Sequence, residues 1–451
     1  MSSNQALPEI TSVRTLVEIR RTQPHYRNID TAQRQKWLMN QIITCNYINH
    51  SPKADANLVK VDAVTLDGGI MQDKILTKKY FLEMVSASIK GLPIPSCPEN
   101  ISGELIYKLS VRNAVQGILY LAVQDGAVTL SAEAEAKLKK SYMAILAREA
   151  TQQEEIDYIR EAFEKENIEF MFLKGTHLKS LYPTPQMRFM VDMDILVKEE
   201  SMNKGGQLIL ARGFTQEMNN GKDIVLVKKP FLTIELHKML FVEDYFMHDY
   251  FLNVWEKAEG CGEYEYKMSY NDLYVYTLAH LAEHYTTAGA CFRPMMDLFL
   301  LKKHKSDELD FNYIEEQLEI IGIGKFAKNI MTLCDKIFTD EELDENLLLM
   351  ENYIVFGAPV ENAEAAAAAA LSDESKATGM LKTLFPDFKH MSLRYPILKK
   401  LPFLLPLFWV IRAVTYTFSK NDLVKTKREQ MKNYDKESVE KMKEIFEKSG
   451  L

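Results

Sequence analysis

The sequence predicts an α+β protein built from a helical region, a small mixed sheet with helices, and a second helical region. Apolar residues recur at spacings of three and four towards both ends of the chain, which is typical of amphipathic helices. In the middle the period changes to two, in short runs that end at Gly or Pro, as in strands. We therefore divide the 451 residues into a helical N-terminal region at 1–150, an α+β core at 151–268 and a helical C-terminal region at 269–451.

Composition and charge favour a globular protein of the cytoplasm. The chain is 47% hydrophobic and carries a formal net charge of -8, which disfavours sequence-independent binding to nucleic acid or to an anionic membrane. Its five cysteines are widely spaced and form no CxxC pair, so neither a disulfide framework nor a structural zinc site is expected. The first residues lack the apolar core of a secretory signal.

In the N-terminal region, three segments with helical periodicity precede a long charged helix or helix pair predicted at 131–168. These segments are "QKWLMNQIITCNYI", "KKYFLEMVSASIKGL" and "LSVRNAVQGILYLAVQ". The helical period returns at 269–289 and continues, with interruptions, to the end of the chain. Residues 361–379 are rich in Ala and acidic residues, which predicts a helix that runs into a linker.

The most apolar stretch of the chain is "LPFLLPLFWVI" at 401–411. It contains two prolines and falls short of the roughly 20 apolar residues that span a bilayer. We expect a buried helix here, with a membrane-surface or partner-binding element as the alternative. No stable membrane span is expected.

Two segments of the core each place acidic residues on one face of a predicted strand. Side chains two apart in a strand point the same way, so Asp192 and Asp194 of "FMVDMDILV" project together. In "FLTIELHKML", Glu235 shares a face with Thr233 and His237. Carboxylates that converge from two strands repel one another unless a cation neutralises them, and hard oxygen ligands suit Mg²⁺ or Mn²⁺. This pattern favours phosphoryl or nucleotidyl transfer; the alternative is a strand end with solvated acids.

A glycine turn stands upstream of the paired aspartates. Lys174, Gly175 and Thr176 join an apolar strand to a predicted helix, where glycine allows the backbone to approach a phosphate closely. Arg188 precedes Asp192 by four residues and could clamp a phosphate bidentately. An ordinary strand-turn-helix junction and a surface arginine are the alternatives for these two features.

The order "LKGTHLKSLYPTPQMRFMVDMDILV", "ARGF", "IELH" resembles the bacterial uncharacterised nucleotidyltransferase family of the DNA polymerase β-like superfamily. The resemblance covers roughly 170–240 and extends weakly to "HLAEHYTTAGACFRPMMDL" and "RYPILKKLPFLLPLFWVIR". It implies a polymerase β-like nucleotidyltransferase core. The turn here is Gly-Thr where that superfamily has Gly-Ser or Gly-Gly, and it lies farther from the aspartates than in minimal members.

The resemblance implies Mg²⁺- or Mn²⁺-dependent transfer of a nucleoside monophosphate (NMP) from a nucleoside triphosphate (NTP), with ATP as the expected donor. The acceptor is a small molecule, a protein or a tRNA, and pyrophosphate leaves. A non-catalytic nucleotide- or partner-binding protein with the same fold is the alternative. The implied metal ligands are Asp192, Asp194 and Glu235; the implied nucleotide-binding residues are Lys174, Gly175, Thr176 and Arg188.

A histidine motif raises a competing hypothesis. "HLAEH" at 280–284 matches the HxxEH zinc-peptidase pattern, and histidines four apart share a helix face. Zinc hydrolysis needs a third protein ligand, for which no segment stands out. The alternatives for His280 and His284 are partly buried structural histidines and residues that line the transfer cleft. For His237, the alternatives are an exposed residue of an edge strand, a partner of the metal ligands and a proton acceptor. Arg293 and Asp297 are expected to pair with each other and order the start of a helix; the alternative is that they face the transfer cleft.

Overall fold

A mixed sheet organises the fold in the computed structural model. The model describes residues 68–451 apart from 220–221, 231, 243–244, 288, 361–362, 372–387, 389–390, 392–394, 400, 410 and 412–435. Within them, seven strands pair in the order β3-β4-β5-β2-β1-β7-β6. The pairs β2–β5 and β1–β7 are parallel, and the other pairs are antiparallel. The strands are β1 Phe170–Phe172, β2 Met193–Val197, β3 Thr215–Asn219, β4 Asp223–Lys228, β5 Leu232–His237, β6 Glu259–Gly260 and β7 Glu265–Lys267.

Helices precede the sheet, interrupt it and follow it. Before it come α1 Gly68–Lys90, α2 Gly103–Arg112, α3 Gln116–Gln124 and α4 Ala132–Lys165. Between strands lie α5 Gly175–Leu178, α6 Met202–Ala211 and α7 His248–Phe251. After it come α8 Tyr270–Thr287, α9 Arg293–Lys305, α10 Phe311–Ile321, α11 Gly324–Thr339, α12 Glu345–Phe356, α13 Ala363–Leu371 and α14 Lys436–Ser449.

The alternating strands separate two hydrophobic clusters. One face of the sheet, with Ile195 and Ile234, packs with residues of α4 and α6 such as Phe163 and Ile209. Residues of the opposite parity, such as Met171 and Leu196, belong to a larger cluster built mostly by the helices. Because a strand turns successive side chains to opposite faces, polar residues at Asp194 and Glu235 lie on the side of the larger cluster.

The predicted α+β class, with a mixed sheet flanked by helices, is confirmed. All described residues fall within one unit of the chain, 50–451. The boundary expected at residue 150 falls inside α4, whose Leu138 packs among the helices and whose Phe163 packs under the sheet. The division into three regions therefore stays a prediction.

Several predicted helices are present with sharper limits than periodicity alone suggests. The charged segment at 131–168 is the single helix α4, which Ser131 caps by accepting a hydrogen bond from the Ala134 amide. The segment at 109–124 is broken into α2 and α3, because Ala114 has a φ of 56°. The segment "QKWLMNQIITCNYI" lies outside the described residues.

The helix expected at 401–411 is present only in part, at 405–409, and the expectation that it is buried is wrong. In this segment Phe403 is 73% exposed and Leu407 is 53% exposed. Pro402–Leu404 form a 3₁₀ turn, as expected where a proline removes a backbone donor. No helix in the described part of the chain is long and apolar enough to cross a membrane.

Helix α3 lies directly against the segment between β1 and β2. A Cβ added to Gly117 would lie 2.0 Å from the carbonyl oxygen of Gln186. Position 117 therefore requires glycine. The two groups in contact are both helical backbone, one in α3 and the other in the 3₁₀ turn Pro185–Arg188.

We expect Gly117→Ala to lower the free energy of unfolding by about 1–3 kcal/mol, the usual cost of overpacking. Gly206→Ala in α6 is the matched control, because its Cβ would lie 3.7 Å from Ile224 in ordinary contact. That change should be neutral or stabilising by about 0.5–1 kcal/mol, as for alanine in a helix interior. Urea unfolding of both variants measures the difference, and equal destabilisation would contradict the close approach.

Candidate active site

Parallel pairing of β2 with β5 brings two predicted metal ligands side by side. Asp194 and Glu235 are register partners, so their side chains leave the same face of the sheet. Asp194 keeps 24% and Glu235 21% of its side chain exposed. Burial by itself raises the pKa of Asp194, but the hydrogen bond and charge of His237, with Lys174 and Lys222, hold it below its ordinary value. Asp194 is therefore ionised at neutral pH.

His237 joins these two carboxylates. Its Nε2 lies 3.4 Å from Asp194 Oδ1 and 3.8 Å from Glu235 Oε2. The three residues form a group whose ligand atoms all lie within 4.8 Å of one another. The side chain is only 8% exposed, because β5 lies between β4 and β2. The reading of His237 as an exposed residue of an edge strand is wrong.

Asp192 stands just outside this group. The strand begins at Met193, so Asp192 belongs to the chain that enters β2. In the described residues, the cluster with ligand spacing does not include it. Its charge nevertheless acts on Lys174, together with that of Asp194.

Lys174 is a predicted nucleotide-binding residue whose charge acts on Asp194. Its ammonium lies 5.0 Å from the ring centroid of Tyr276. Burial lowers its pKa to about 8; Asp194 raises it and Arg293 lowers it. Such a shift arises when an ammonium group loses its hydration without gaining a close carboxylate. A bound anion would stabilise the charged form of the Lys174 ammonium, which burial destabilises.

The predicted turn follows Lys174 directly. Gly175 begins the single turn α5, and the Thr176 amide donates to the carbonyl of Leu173 at 3.3 Å. A Cβ on Gly175 would lie 2.4 Å from Met190 Sδ and 3.3 Å from Arg188 Nη1. Glycine therefore lets the turn pack against the chain that enters β2.

Arg188 forms a buried ion pair with Asp297 of α9. Its Nε and Nη2 donate to the two carboxylate oxygens at 2.6 and 2.8 Å, and the Tyr182 hydroxyl donates to Oδ1 at 2.7 Å. Both charged side chains are at most 5% exposed. This geometry corrects the expected bidentate clamp on phosphate, because the two donors on one edge of the guanidinium are used by Asp297. Nη1 faces the Gly175 turn instead.

The expected pair between Arg293 and Asp297 is also wrong. Asp297 is bound by Arg188 and Tyr182, while Arg293 Nη1 donates to the carbonyl of Phe189 at 3.3 Å. Both α9 residues thus hold the connection between β1 and β2. Gln152 of α4 adds a third tie, from its Nε2 to the Met190 carbonyl at 3.2 Å.

The histidines of "HLAEH" lie in α8 and contact each other, with their Nε2 atoms 3.2 Å apart. Burial lowers the pKa of His280 well below its ordinary value, and Lys174, His284, Lys222 and Arg293 lower it further. Cations around an imidazole disfavour a metal ion there. The ligand group found in the described residues does not contain either histidine, so the zinc hypothesis gains no third ligand.

Sequence reasoning missed two features of the site. The hairpin of β3 and β4 was not assigned, although "DIVLV" is rich in β-branched residues. Its Asp223 lies 3.7 Å from His237 Nδ1, so this hairpin supplies a third carboxylate beside the histidine. Tyr182 is the second, since no local pattern marks it as a partner of Asp297.

A family model described as "Uncharacterised nucleotidyltransferase" matches residues 99–339, more than half of the chain. The match includes α4, the whole sheet, α8 and α9. No curated protein and no solved structure matched the chain.

Removal of the Asp297 charge should destabilise the protein. Asp297→Asn leaves the Arg188 cation buried without its counter-charge, which costs about 3–5 kcal/mol when a buried pair is broken. Asp335→Asn is the control, because its pair with Lys302 is exposed and is worth less than about 1 kcal/mol. Denaturant unfolding compares the two, and a similar small effect of both would show that the buried pair is not structural.

His177 should make stability fall on the acid side of neutrality. Burial lowers its pKa from the ordinary 6.5, although its Nε2 bonds the Phe172 carbonyl at 2.9 Å. Below pH 6.5 the unfolded chain binds a proton that the folded chain does not, so stability is full above this pH and is lost as the pH falls. The slope per histidine is at most about 1.4 kcal/mol per pH unit.

Urea unfolding at several pH values between 5 and 8, in roughly the range where histidine titrates, measures this loss. His177→Gln should flatten the dependence, whereas the exposed His304→Gln should leave it unchanged. Identical pH dependence of wild type and His177→Gln would contradict the assignment.

Proposed function

Because this chain belongs to the uncharacterised nucleotidyltransferase family, we propose that it transfers an NMP from an NTP to an acceptor and releases pyrophosphate. The proposed donor is ATP, and the proposed cofactor is Mg²⁺ or Mn²⁺. The observation that carries the proposal is the adjacency of Asp194 and Glu235 across the parallel strands, with the charge of the Lys174 ammonium acting on Asp194.

The donor set suits a hard divalent cation. Asp194 and Glu235 offer carboxylate oxygens on one face, and an ionised Asp194 needs no proton removed before it binds a cation. Asp192 would add a carboxylate from the entrance of β2. His237 orients Asp194 through its Nε2. When bound, the ion neutralises the triphosphate and stabilises the charge that develops on the leaving pyrophosphate.

The triphosphate is proposed to lie along the turn at 174–176. Lys174 supplies a buried ammonium, and an anionic ligand would stabilise its charged form. Gly175 has no side chain, so the backbone of the turn follows that cation without a bulky group at position 175, and Thr176 comes next. Arg188 acts as a positioning residue, because its ion pair with Asp297 holds the turn while Nη1 faces it.

The reaction is proposed to take place in the cytoplasm. The four described cysteines, Cys97, Cys261, Cys291 and Cys334, are free, in agreement with a reducing compartment. The proposed acceptor is a small molecule, a protein or a tRNA. The alternative, a nucleotide-binding protein without turnover, is separated from the enzyme by the experiment below.

Transfer is measured with each of the four α-labelled NTPs, Mg²⁺ or Mn²⁺ and a cell extract. We expect the wild type to move label to an acceptor. Asp194→Asn and Glu235→Gln should each lower the rate roughly 100-fold or more, as expected when a group that stabilises transition-state charge is removed. Glu263→Gln, an exposed change in the loop before β7, should leave the rate unchanged.

Binding of labelled NTP is measured in parallel by equilibrium dialysis. NTP binding by the wild type without any transfer would favour the non-catalytic alternative. Equal transfer by the wild type and Asp194→Asn would refute the assignment of the metal ligands.

A further inference from the structure

Residues 396–409 expose several large apolar side chains close together in the chain. Phe403 is 73% exposed, Leu407 53%, Ile397 48% and Leu401 38%. An isolated apolar side chain in water is ordinary for a protein surface, whereas several in one short stretch mark a place where a protein binds something. We call Ile397, Leu401, Phe403 and Leu407 the apolar surface.

Hydrogen bonds and a ring contact fold this stretch on itself. Two 3₁₀ turns follow each other in it. The Leu401 amide donates to the carbonyl of Ile397 at 2.9 Å, which sets these two residues of the apolar surface one turn apart. The rings of Tyr395 and Phe408 lie 4.7 Å apart, so the two ends of the stretch meet. The apolar surface therefore belongs to a compact element and not to an extended chain.

Basic residues accompany the apolar surface in the sequence. Lys399 and Lys400 lie between its first two members, and Arg412 follows the apolar run. The stretch 389–432 contains ten lysines and arginines but two acidic residues, in a chain whose net charge is -8. Local positive charge therefore coincides in the sequence with the exposed apolar side chains, a combination typical of an element that lies on an anionic membrane.

We propose that the apolar surface binds an anionic phospholipid bilayer and lies in the plane of its headgroups. On binding, the exposed side chains of Phe403 and Leu407 pass from water into the boundary of the acyl chains, while lysine and arginine attract the headgroups. Trp409 and Tyr395 are of the residue types that favour this interface. The stretch lies on the bilayer and does not cross it, because its apolar run is shorter than the roughly 20 residues needed and is interrupted by prolines.

Charge favours a bilayer over other occupants of this surface. In a twofold contact between two copies of the chain, the same basic stretches would face each other and repel. RNA would engage the basic residues, but aliphatic side chains such as Leu401 and Leu407 add little to its binding. The acidic remainder of the chain opposes binding only weakly, since charges farther than about 8 Å from the bilayer are largely screened at physiological salt.

Co-sedimentation of the full chain with lipid vesicles tests the proposal. We expect binding to vesicles of phosphatidylcholine mixed with phosphatidylglycerol, and much weaker binding to vesicles of phosphatidylcholine alone. Phe403→Ser and Leu407→Ser should each weaken binding to the mixed vesicles roughly tenfold, as expected when one large apolar side chain no longer leaves water. Ile320→Ser is the matched control and should bind like the wild type, because Ile320 is 63% exposed but lies in α10.

Two readouts separate insertion from adsorption by charge alone. Lipids brominated in their acyl chains should quench part of the tryptophan emission of the wild type, and Trp409→Phe should lose that part. Lys399→Gln combined with Lys400→Gln should weaken binding to the mixed vesicles about tenfold or more, given the attraction of each basic residue near an anionic surface. Urea unfolding checks that the variants fold, as expected of changes at exposed positions.

Absence of binding to the mixed vesicles would overturn the proposal, as would equal binding to both kinds of vesicle. Unchanged binding by Phe403→Ser and Leu407→Ser would also overturn it, because the apolar surface would then not be the contact. Dimers of the wild type that Phe403→Ser disrupts, or RNA binding without vesicle binding, would assign the surface to another occupant and refute the bilayer. Each of these outcomes leaves the proposed transfer reaction standing, since the measurements do not involve it.

Discussion

The buried ion pair between Arg188 and Asp297 is the constraint on which the site depends. It joins the connection between β1 and β2, which carries the glycine turn, to helix α9, which lies more than 100 residues away in the chain. With Tyr182 it forms a hydrogen-bonded polar group in the interior. Because charge in an apolar interior is stable only with its partner in place, this pair allows one arrangement of the connection and excludes others.

Further ties act on the same connection. Arg293 and Gln152 bind the carbonyls of Phe189 and Met190, and Gly117 lets α3 approach the backbone at Gln186. The helical parts of the chain therefore hold the loop that the sheet alone would leave unsupported. Preorganisation of this kind matters to phosphate chemistry, where misplaced groups lose most of their effect.

The electrostatics of the candidate site follow from the elements on its two sides. The sheet side gathers the carboxylates of Asp194 and Glu235 around His237, and cations from the surrounding elements lie close to the acids. On the helix side, the cations near His280 disfavour a zinc ion at the HxxEH pattern. Spacing along a helix brings two imidazoles together, but the charges contributed by other elements decide whether the imidazoles favour binding of a metal ion.

The sequence by itself determined strands β2 and β5, the acids that they carry and the helical periods on both sides of the sheet. Alternation in "MVDMDILV" and "FLTIELHKML" located β2 and β5, because a half-buried strand must alternate, and the glycine turn was recognised by its position after an apolar strand. Only the tertiary structure decided which acids meet. Register pairs Asp194 with Glu235, leaves Asp192 at the strand entrance and buries His237. The tertiary structure also pairs Arg188 with Asp297 and leaves Phe403 exposed. Local periodicity reports which face a side chain takes, while partners across long separations depend on strand order and helix packing, which no local pattern encodes.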